Sequence, residues 1–133
     1  MTLLPPLIVS RIIILATLIF YICSSLRHAF FYSTGFDLGI YDQVVYLISQ
    51  GESPISSFLG YHHLGNHAAW AVYPLGLFYM IYPDVHWLLL LQAVCLALGS
   101  WPTWCLARLA GLNQGQAVAV SYTHLRAHET RTY

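Results

Sequence analysis

Apolar and polar positions along the chain separate into two long apolar runs and a polar segment between them. Residues 7–26 and 85–107 are predominantly apolar, and the second run contains no Asp, Glu, Lys or Arg. A helix that crosses the hydrocarbon core of a membrane, roughly 30 Å thick, needs about 20 residues of this kind. Both runs therefore predict transmembrane helices.

The first run could also be a cleaved signal peptide, because its apolar core has about the length of the apolar region of such a peptide. The residues that follow, 24–31, offer no clean small-x-small cleavage site and continue with aromatic side chains of the kind found at membrane interfaces. Arg11 lies one turn inside the run, where its guanidinium can extend to the headgroups. These features favour a membrane-spanning helix.

Two short helices are predicted in the intervening segment, residues 27–84. Over 37–50, apolar residues recur at intervals of three and four, and Gly51 is a natural helix stop. The stretch 68–82 is dense in Trp, Tyr and Phe, is interrupted by Pro74, and is too short to cross the membrane. It is typical of an interfacial or re-entrant helix, with a third crossing as the alternative.

The predicted fold class is thus an all-α membrane protein, with two transmembrane helices joined by a loop that holds short interfacial helices. Positive charge favours the cytoplasmic side of a membrane. Arg11 and Arg108 fall on one side of the predicted spans and Arg27 on the other. Because two of these three arginines lie on one side, that side is predicted to be cytoplasmic. Residues 27–84 are then outside the cytoplasm, residues 108–120 are the start of a cytoplasmic loop, and the chain is a multi-pass protein of the cell membrane.

The end of the chain differs from everything before it. Residues 121–133 are polar and unpatterned, so they are left out of the predicted fold. Residues 121–130 resemble the translated sequencing adapter found at the ends of many environmental gene models. On this hypothesis the tail is not native, and the sequence is a fragment truncated near Val120.

Composition supports a membrane protein and excludes polyanionic partners. Hydrophobic residues make up 58 % of the chain and charged residues 8 %, whereas soluble domains carry roughly 25 % charged residues. Lysine is absent and five arginines balance five acids, so there is no basic patch for nucleic acid. Cys23, Cys95 and Cys105 lack the spacing of a disulfide scaffold or a metal site. The expected partner is the lipid bilayer.

Asp37 and Asp42 are the first candidates for chemistry, because they lie just beyond the first predicted span. Five residues of helix separate their side chains by about 140° around the axis, so they do not form a matched acid–base pair. Asp37 is either the N-cap of the predicted helix or a functional carboxylate. Asp42 is expected to be structural.

Histidines are the second candidates, in the pattern H-H-x-x-x-H formed by His62, His63 and His67. His63 and His67 would share a face of a helix, but a zinc site needs a third ligand, and neither H-E-x-x-H nor a nearby Cys occurs. His62 and His63 are expected to be interfacial or to contact substrate. A divalent metal ion is the only cofactor that this segment suggests, and the pattern does not establish it.

The order of these motifs resembles the N-terminal part of the DUF2079 predicted membrane proteins, over residues 8–112. The resemblance rests on F-D-L-G-I-Y-D-Q at 36–43, L-G-N-H at 64–67, and the leucine-rich stretch 88–91. Asn66 stands where Asp is expected in many relatives.

That family is uncharacterised and looks related to the GT-C glycosyltransferases, multi-spanning enzymes that use polyprenyl-phosphate sugar donors. The resemblance implies a GT-C-like multi-span fold and, for Asp37, the role of general base. Asp42 and His67 match less closely as catalytic residues. Arg27 and the histidines are the local groups for the leaving phosphate, and the fragment alone is expected to be inactive. The alternative is a non-enzymatic membrane protein, either a transport component or a membrane-anchored scaffold.

Overall fold

The computed structural model describes residues 5–33, 35–66 and 69–129, and this part of the chain is helical. It contains no β-strand, only an isolated bridge between Ile55 and His62. The predicted all-α fold is therefore confirmed. The helices in these ranges are α1 (Leu7–Ala29), α2 (Gly35–Ser49), the 3-10 helix His63–Gly65, α3 (Val72–Ile81), α4 (His86–Leu98), α5 (Ser100–Leu109) and α6 (Gln114–Glu129).

Two helical segments of the described chain are long and apolar enough to cross a membrane, as the hydrophobic pattern predicts. They are α1 and the stretch His86–Leu109, which α4 and α5 form together. Only 6 % of the most apolar window of α1 is buried inside the protein, so most of its surface is available to lipid. α1 continues three residues past the predicted end at residue 26.

The second of these segments is interrupted at Gly99, between α4 and α5. The amide of Gly99 bonds the carbonyl of Cys95 at 3.2 Å, and the amide of Thr103 bonds the carbonyl of Gly99 at 3.3 Å. Pro102 lacks an amide hydrogen, and its ring crowds the carbonyl four residues earlier, that of Leu98. Leu98 is the last residue of α4. The proline accounts for the interruption, which lies near the middle of the segment His86–Leu109.

α3 is shorter than the predicted 68–82. Its ten residues are about half the length that a membrane crossing needs, so the structure gives no support to a third crossing. α3 is joined to the start of α4 by Trp87, whose indole nitrogen donates to the carbonyl of Tyr82 at 3.0 Å. The same ring packs against Phe78 with the ring centres 5.0 Å apart. Placement of α3 at the membrane interface stays a prediction.

The chain divides into two compact units. Residues 24–89 form one, and the other contains the first part of α1, the second part of α4, α5 and α6. In the latter, Val9 packs with Trp104 and Ala107 of α5 and with Ala117 of α6.

α6 lies in a region that the sequence analysis assigned to the start of a cytoplasmic loop, 108–120, and to a tail left out of the predicted fold, 121–133; these assignments stay predictions. Ala117, Ser121 and Leu125 lie four residues apart and are buried, so one face of this helix is packed. That face consists mostly of small side chains, and therefore the apolar periodicity used to predict helices does not reveal it.

The start of α6 does carry a local signal that the sequence analysis missed. The side-chain oxygen of Asn113 accepts from the amide of Gln116 at 3.0 Å, and the side-chain oxygen of Gln116 accepts from the amide of Asn113 at 3.0 Å. This reciprocal pair is a capping box, which satisfies amides that the first helical turn leaves without partners.

The unit formed by residues 24–89 is built on the pairing of α2 with α3. Ile40, Val44 and Val45 of α2 pack against Val72, Leu75 and Tyr79 of α3. The two helices approach closely at Gly76, where an added Cβ would lie 2.8 Å from Cγ2 of Ile48. Because isoleucine is branched at Cβ, this methyl group has little freedom to move away.

We predict that Gly76→Ala destabilises the protein although alanine is the better helix former. The new methyl group overpacks the contact with Ile48, at a cost of about 1–3 kcal/mol, whereas the helix-propensity gain is about 1 kcal/mol. Gly115→Ala in α6 is the matched control, because its added Cβ meets only the side chain of Asn113 at an ordinary 3.5 Å. Thermal unfolding in detergent should give a lower Tm for Gly76→Ala and an equal or higher Tm for Gly115→Ala. Equal shifts would contradict the close approach.

Candidate functional site

An open cavity of about 280 Å³ lies where the end of α1 meets the start of α2. Next to it is a second hollow of about 360 Å³. The two adjoin, because Asp42 and Val85 line both. The first is lined by His28, Phe31, Ser33, Gly35, Leu38, Gly39, Asp42 and Val85, and the second by Asp42, Tyr46, Tyr79, Pro83, Asp84, Val85 and His86.

Asp42 is held in place by Tyr79. The phenol of Tyr79 donates to Oδ1 of Asp42 at 2.6 Å, and only 2 % of Tyr79 is exposed. Burial raises the pKa of Tyr79 well above its ordinary value, and the bond to Asp42 raises it further. The phenol therefore remains a donor at every physiological pH, and it fixes one oxygen of Asp42 at the border of the two hollows.

The side chains of Asp84 and His86 are in close contact at the start of α4. Oδ1 of Asp84 accepts from the backbone amide of His86 at 2.8 Å and lies 2.6 Å from Nδ1 of the same residue. The backbone hydrogen bond, and after it the bond to the His86 ring, lowers the pKa of Asp84. A carboxylate in this position also faces the positive end of the helix dipole.

His28 brings a second imidazole to this pair from the last turn of α1. Its ring meets the ring of His86 edge-on, with the centres 6.0 Å apart. Nδ1 of His28 lies 3.4 Å from Oγ of Ser33. Asp42, Asp84 and the two histidines thus place groups that can give and take protons around one pair of hollows.

Phe31 lies at the edge of the first cavity in an unusual backbone conformation. Its φ of 59° is in the left-handed region, which costs a residue with a side chain roughly 1–2 kcal/mol. The amide of Phe31 bonds the carbonyl of His28 at 3.0 Å, and the amide of Tyr32 bonds the carbonyl of Arg27 at 2.8 Å. These two bonds are the Schellman motif that ends a helix, in which this position is usually glycine.

Asp37 is separated from Asp42, as the helical spacing predicts. α2 begins at Gly35, so Asp37 lies within the first turn and not at the N-cap, which was one of the two alternatives for it. It is exposed, and its carboxylate makes no hydrogen bond or ion pair within the described residues. Gly35 and Leu38, on either side of it in sequence, line the cavity, whereas Asp37 is not among the lining residues.

Gln43, the last residue of the F-D-L-G-I-Y-D-Q element, has a structural role that the sequence analysis did not identify. Its side-chain oxygen accepts from Oγ of Ser56 at 2.9 Å, and from the amide and Oγ of Ser57 at 2.9 and 3.0 Å. These bonds hold the irregular segment after α2 against that helix.

The histidines of the H-H-x-x-x-H pattern do not form one site in the described structure. His62 is exposed, and its Nδ1 accepts from the amide of Leu64 at 3.3 Å, which caps the 3-10 helix. His63 is buried and meets the ring of Tyr41 edge-on, so it does not occupy the interfacial position expected for it. His67 lies outside the described residues. Within those residues, no three His, Cys, Asp or Glu side chains are grouped so that they could hold a metal ion.

Sequence reasoning missed most of the residues that the fold brings to the hollows, namely His28, Tyr79, Asp84 and His86. Asp84 and His86 were detectable as an acid and an imidazole two residues apart immediately before an apolar run. Tyr79 was not, because it stands among aromatic residues that look like interfacial anchors.

We predict that Tyr79→Phe destabilises the pairing of α2 with α3. The substitution removes a hydrogen bond to a carboxylate and should cost about 1.5 kcal/mol, the lower end of the range for charged partners because Asp42 is partly exposed. Tyr82→Phe is the control, since Tyr82 is 63 % exposed. Unfolding free energies in mixed micelles compare the two variants. An equal effect of both would show that the Asp42 bond contributes nothing.

We predict that the contribution of Asp84 depends on pH. Its pKa is lower in the folded protein than in the unfolded chain, so its stabilising effect is complete above the ordinary value of about 3.9 and disappears as pH falls through the folded value. Asp84→Asn should therefore lower stability by about 0.5–1 kcal/mol at pH 7, and the difference should vanish in acid. Tm measured against pH tests this, with the exposed Glu52→Gln as control. A difference that persists in acid would contradict the assignment.

Comparison with known proteins identifies the family of this chain. A family model described as "Predicted membrane protein (DUF2079)" matches residues 27–127, and the chain therefore belongs to that family. The resemblance inferred from the motifs is confirmed. No curated protein and no solved structure matches the chain.

Proposed function

We propose that this DUF2079 protein is part of a GT-C-type glycosyltransferase that takes sugar from a polyprenyl-phosphate donor at the extracytoplasmic face of the cell membrane. One observation carries the proposal. The carboxylate of Asp42, between the two candidate spans, lines an open cavity, and Asp37 lies on the same helix, next in the sequence to the lining residue Leu38. Attack by an acceptor hydroxyl on an anomeric carbon needs a carboxylate within hydrogen-bond reach to accept the proton.

The surroundings of the two carboxylates suit them to different tasks. Asp37 is exposed and makes no side-chain bond within the described chain, so its oxygens are available to accept a proton, and we assign it the role of general base. One oxygen of Asp42 already accepts the phenol of Tyr79. Its fixed position suits it to orient the acceptor hydroxyl. His67 stays a weaker catalytic candidate.

The end of α1 offers positive charge for the departing phosphate. Arg27 and His28 lie in the last turn of α1, and the guanidinium of Arg27 donates to the carbonyl of Tyr32 at 3.3 Å. Cationic groups that face the charge developing on a leaving group lower the barrier to transfer. Arg27 is not among the residues that line the cavity, so its position supports a donor phosphate that lies near the end of the membrane span, outside the cavity.

We predict that Asp37→Asn in the full-length protein lowers sugar transfer by about 100-fold or more, the usual contribution of a general base. Membrane insertion should be unchanged, because the side chain is exposed and forms no bond within the described chain. The measurement is consumption of a panel of tritiated polyprenyl-phosphate hexoses and pentoses in membranes. Glu52→Gln, which removes another exposed acid, should transfer as the wild type does.

Two results would contradict this proposal. Transfer retained by Asp37→Asn would remove Asp37 from the mechanism. A wild-type protein that binds the donors without consuming any of them would contradict an enzyme, and would favour the non-enzymatic alternative of a transport component or scaffold.

A further inference from the structure

Phe31 combines a strained backbone with a side chain that the protein does not cover. Its φ is 59° and 93 % of the residue is exposed. A glycine would adopt this backbone without strain, and the exposed ring contributes little to packing. Backbone strain of this kind clusters at binding and active sites. The presence of phenylalanine instead of glycine here therefore points to a role of the ring other than the folding of this unit.

The cavity at which Phe31 lies has an apolar part and a polar part. Phe31, Leu38 and Val85 form the apolar part, and His28, Ser33 and Asp42 form the polar part. Neither Lys nor Arg is among the described residues of the lining, whereas the carboxylate of Asp42 is. The polar part therefore favours a neutral head that carries hydroxyl groups over an anionic head, which Asp42 would repel.

The size of the cavity limits the ligand further. Its volume of about 280 Å³ is just below the roughly 300–1,000 Å³ typical of ligand pockets, which suits a head of about one sugar ring. Gly35 and Gly39, one helical turn apart in α2, are both in the lining. An added Cβ at Gly35 would meet no atom within 4 Å, so a ligand can approach the helix backbone there, whereas the space beside Gly39 is filled by the ring of Phe58. Phe31 lines the cavity and is 93 % exposed, so a longer part of a ligand can leave the cavity past its ring.

We infer that this cavity binds a membrane amphiphile with a neutral, hydroxylated head, and that Phe31 holds the start of its hydrocarbon chain. Phe31 follows the end of the candidate span α1 by two residues, so a chain that passes it enters the bilayer directly. The head lies against Asp42 and His28, where its hydroxyl groups find a hydrogen-bond acceptor and an imidazole. Binding of the amphiphile does not depend on the proposed function. Its role as the sugar acceptor rests on that function.

Phe30 makes it possible to distinguish this role from simple membrane anchoring. It is the preceding residue, has the same ring and is 66 % exposed, but it is absent from the cavity lining. If the rings serve only as interfacial anchors, the two residues are equivalent. If Phe31 contacts a ligand, only Phe31 matters for binding at the cavity.

The test uses the full-length protein in phosphatidylcholine nanodiscs and a decyl β-D-glucoside with a diazirine in its alkyl chain. After irradiation, mass spectrometry measures labelling of the peptides that contain residues 28–42. Loss of contact with one aromatic ring should lower labelling by about tenfold in Phe31→Gly. Phe30→Ala and Phe31→Tyr should label as the wild type does. Phe31→Gly relieves the backbone strain, so its folding is not in question.

A photoreactive decyl phosphate of the same chain length tests the head group. It should label these peptides less than the glucoside does, and unlabelled decyl glucoside should compete with the glucoside probe. Equal losses in Phe30→Ala and Phe31→Gly, or stronger labelling by the phosphate, would overturn the inference. Because labelling requires no transfer, a protein that is labelled as expected but transfers no sugar would contradict the proposed function alone.

Discussion

The hydrogen bond between Tyr79 and Asp42 determines where the candidate site lies. A buried phenol needs a partner, and here the partner is a carboxylate that also borders the two hollows. The bond therefore couples the packing of α3 on α2 to the position of a charged group. The close contact between Gly76 and Ile48 supports the same pairing of α2 with α3, because it lets the two helices approach closely enough for the Tyr79–Asp42 bond to form.

Three ionisable groups of the site, His28, Asp84 and His86, come from helix ends, and the membrane provides the reason. Charge is costly within the hydrocarbon core, so α1 carries His28 only in its last turn, and the second candidate span is preceded by Asp84 and begins at His86. His28 at the end of α1 therefore lies close to His86 at the start of α4, with the ring centres 6.0 Å apart. The lipid-linked donor of the proposed function would reach the same level of the membrane.

Among the described residues, Phe31 is the only non-glycine residue with a positive φ. Helices favour glycine at the end of a Schellman motif, and most of the chain follows such rules, as the capping box of Asn113 and Gln116 shows. An exception that costs free energy and leaves an aromatic ring uncovered is expected at sites that serve binding, because natural sequences deviate from local consistency mainly there.

The sequence by itself determined the class of the protein, its two candidate spans, the helix at 35–49 to within two residues, and the family, through F-D-L-G-I-Y-D-Q. These properties depend on composition and on periodicity within short windows, which any folded form must satisfy. Only the tertiary structure decided that Asp42 lines the cavity, that His63 is buried, and that Tyr79 is a hydrogen-bond donor and not an anchor. Tyr79 and Asp42 are 37 residues apart, and no local pattern encodes a contact that exists only once α3 has packed on α2.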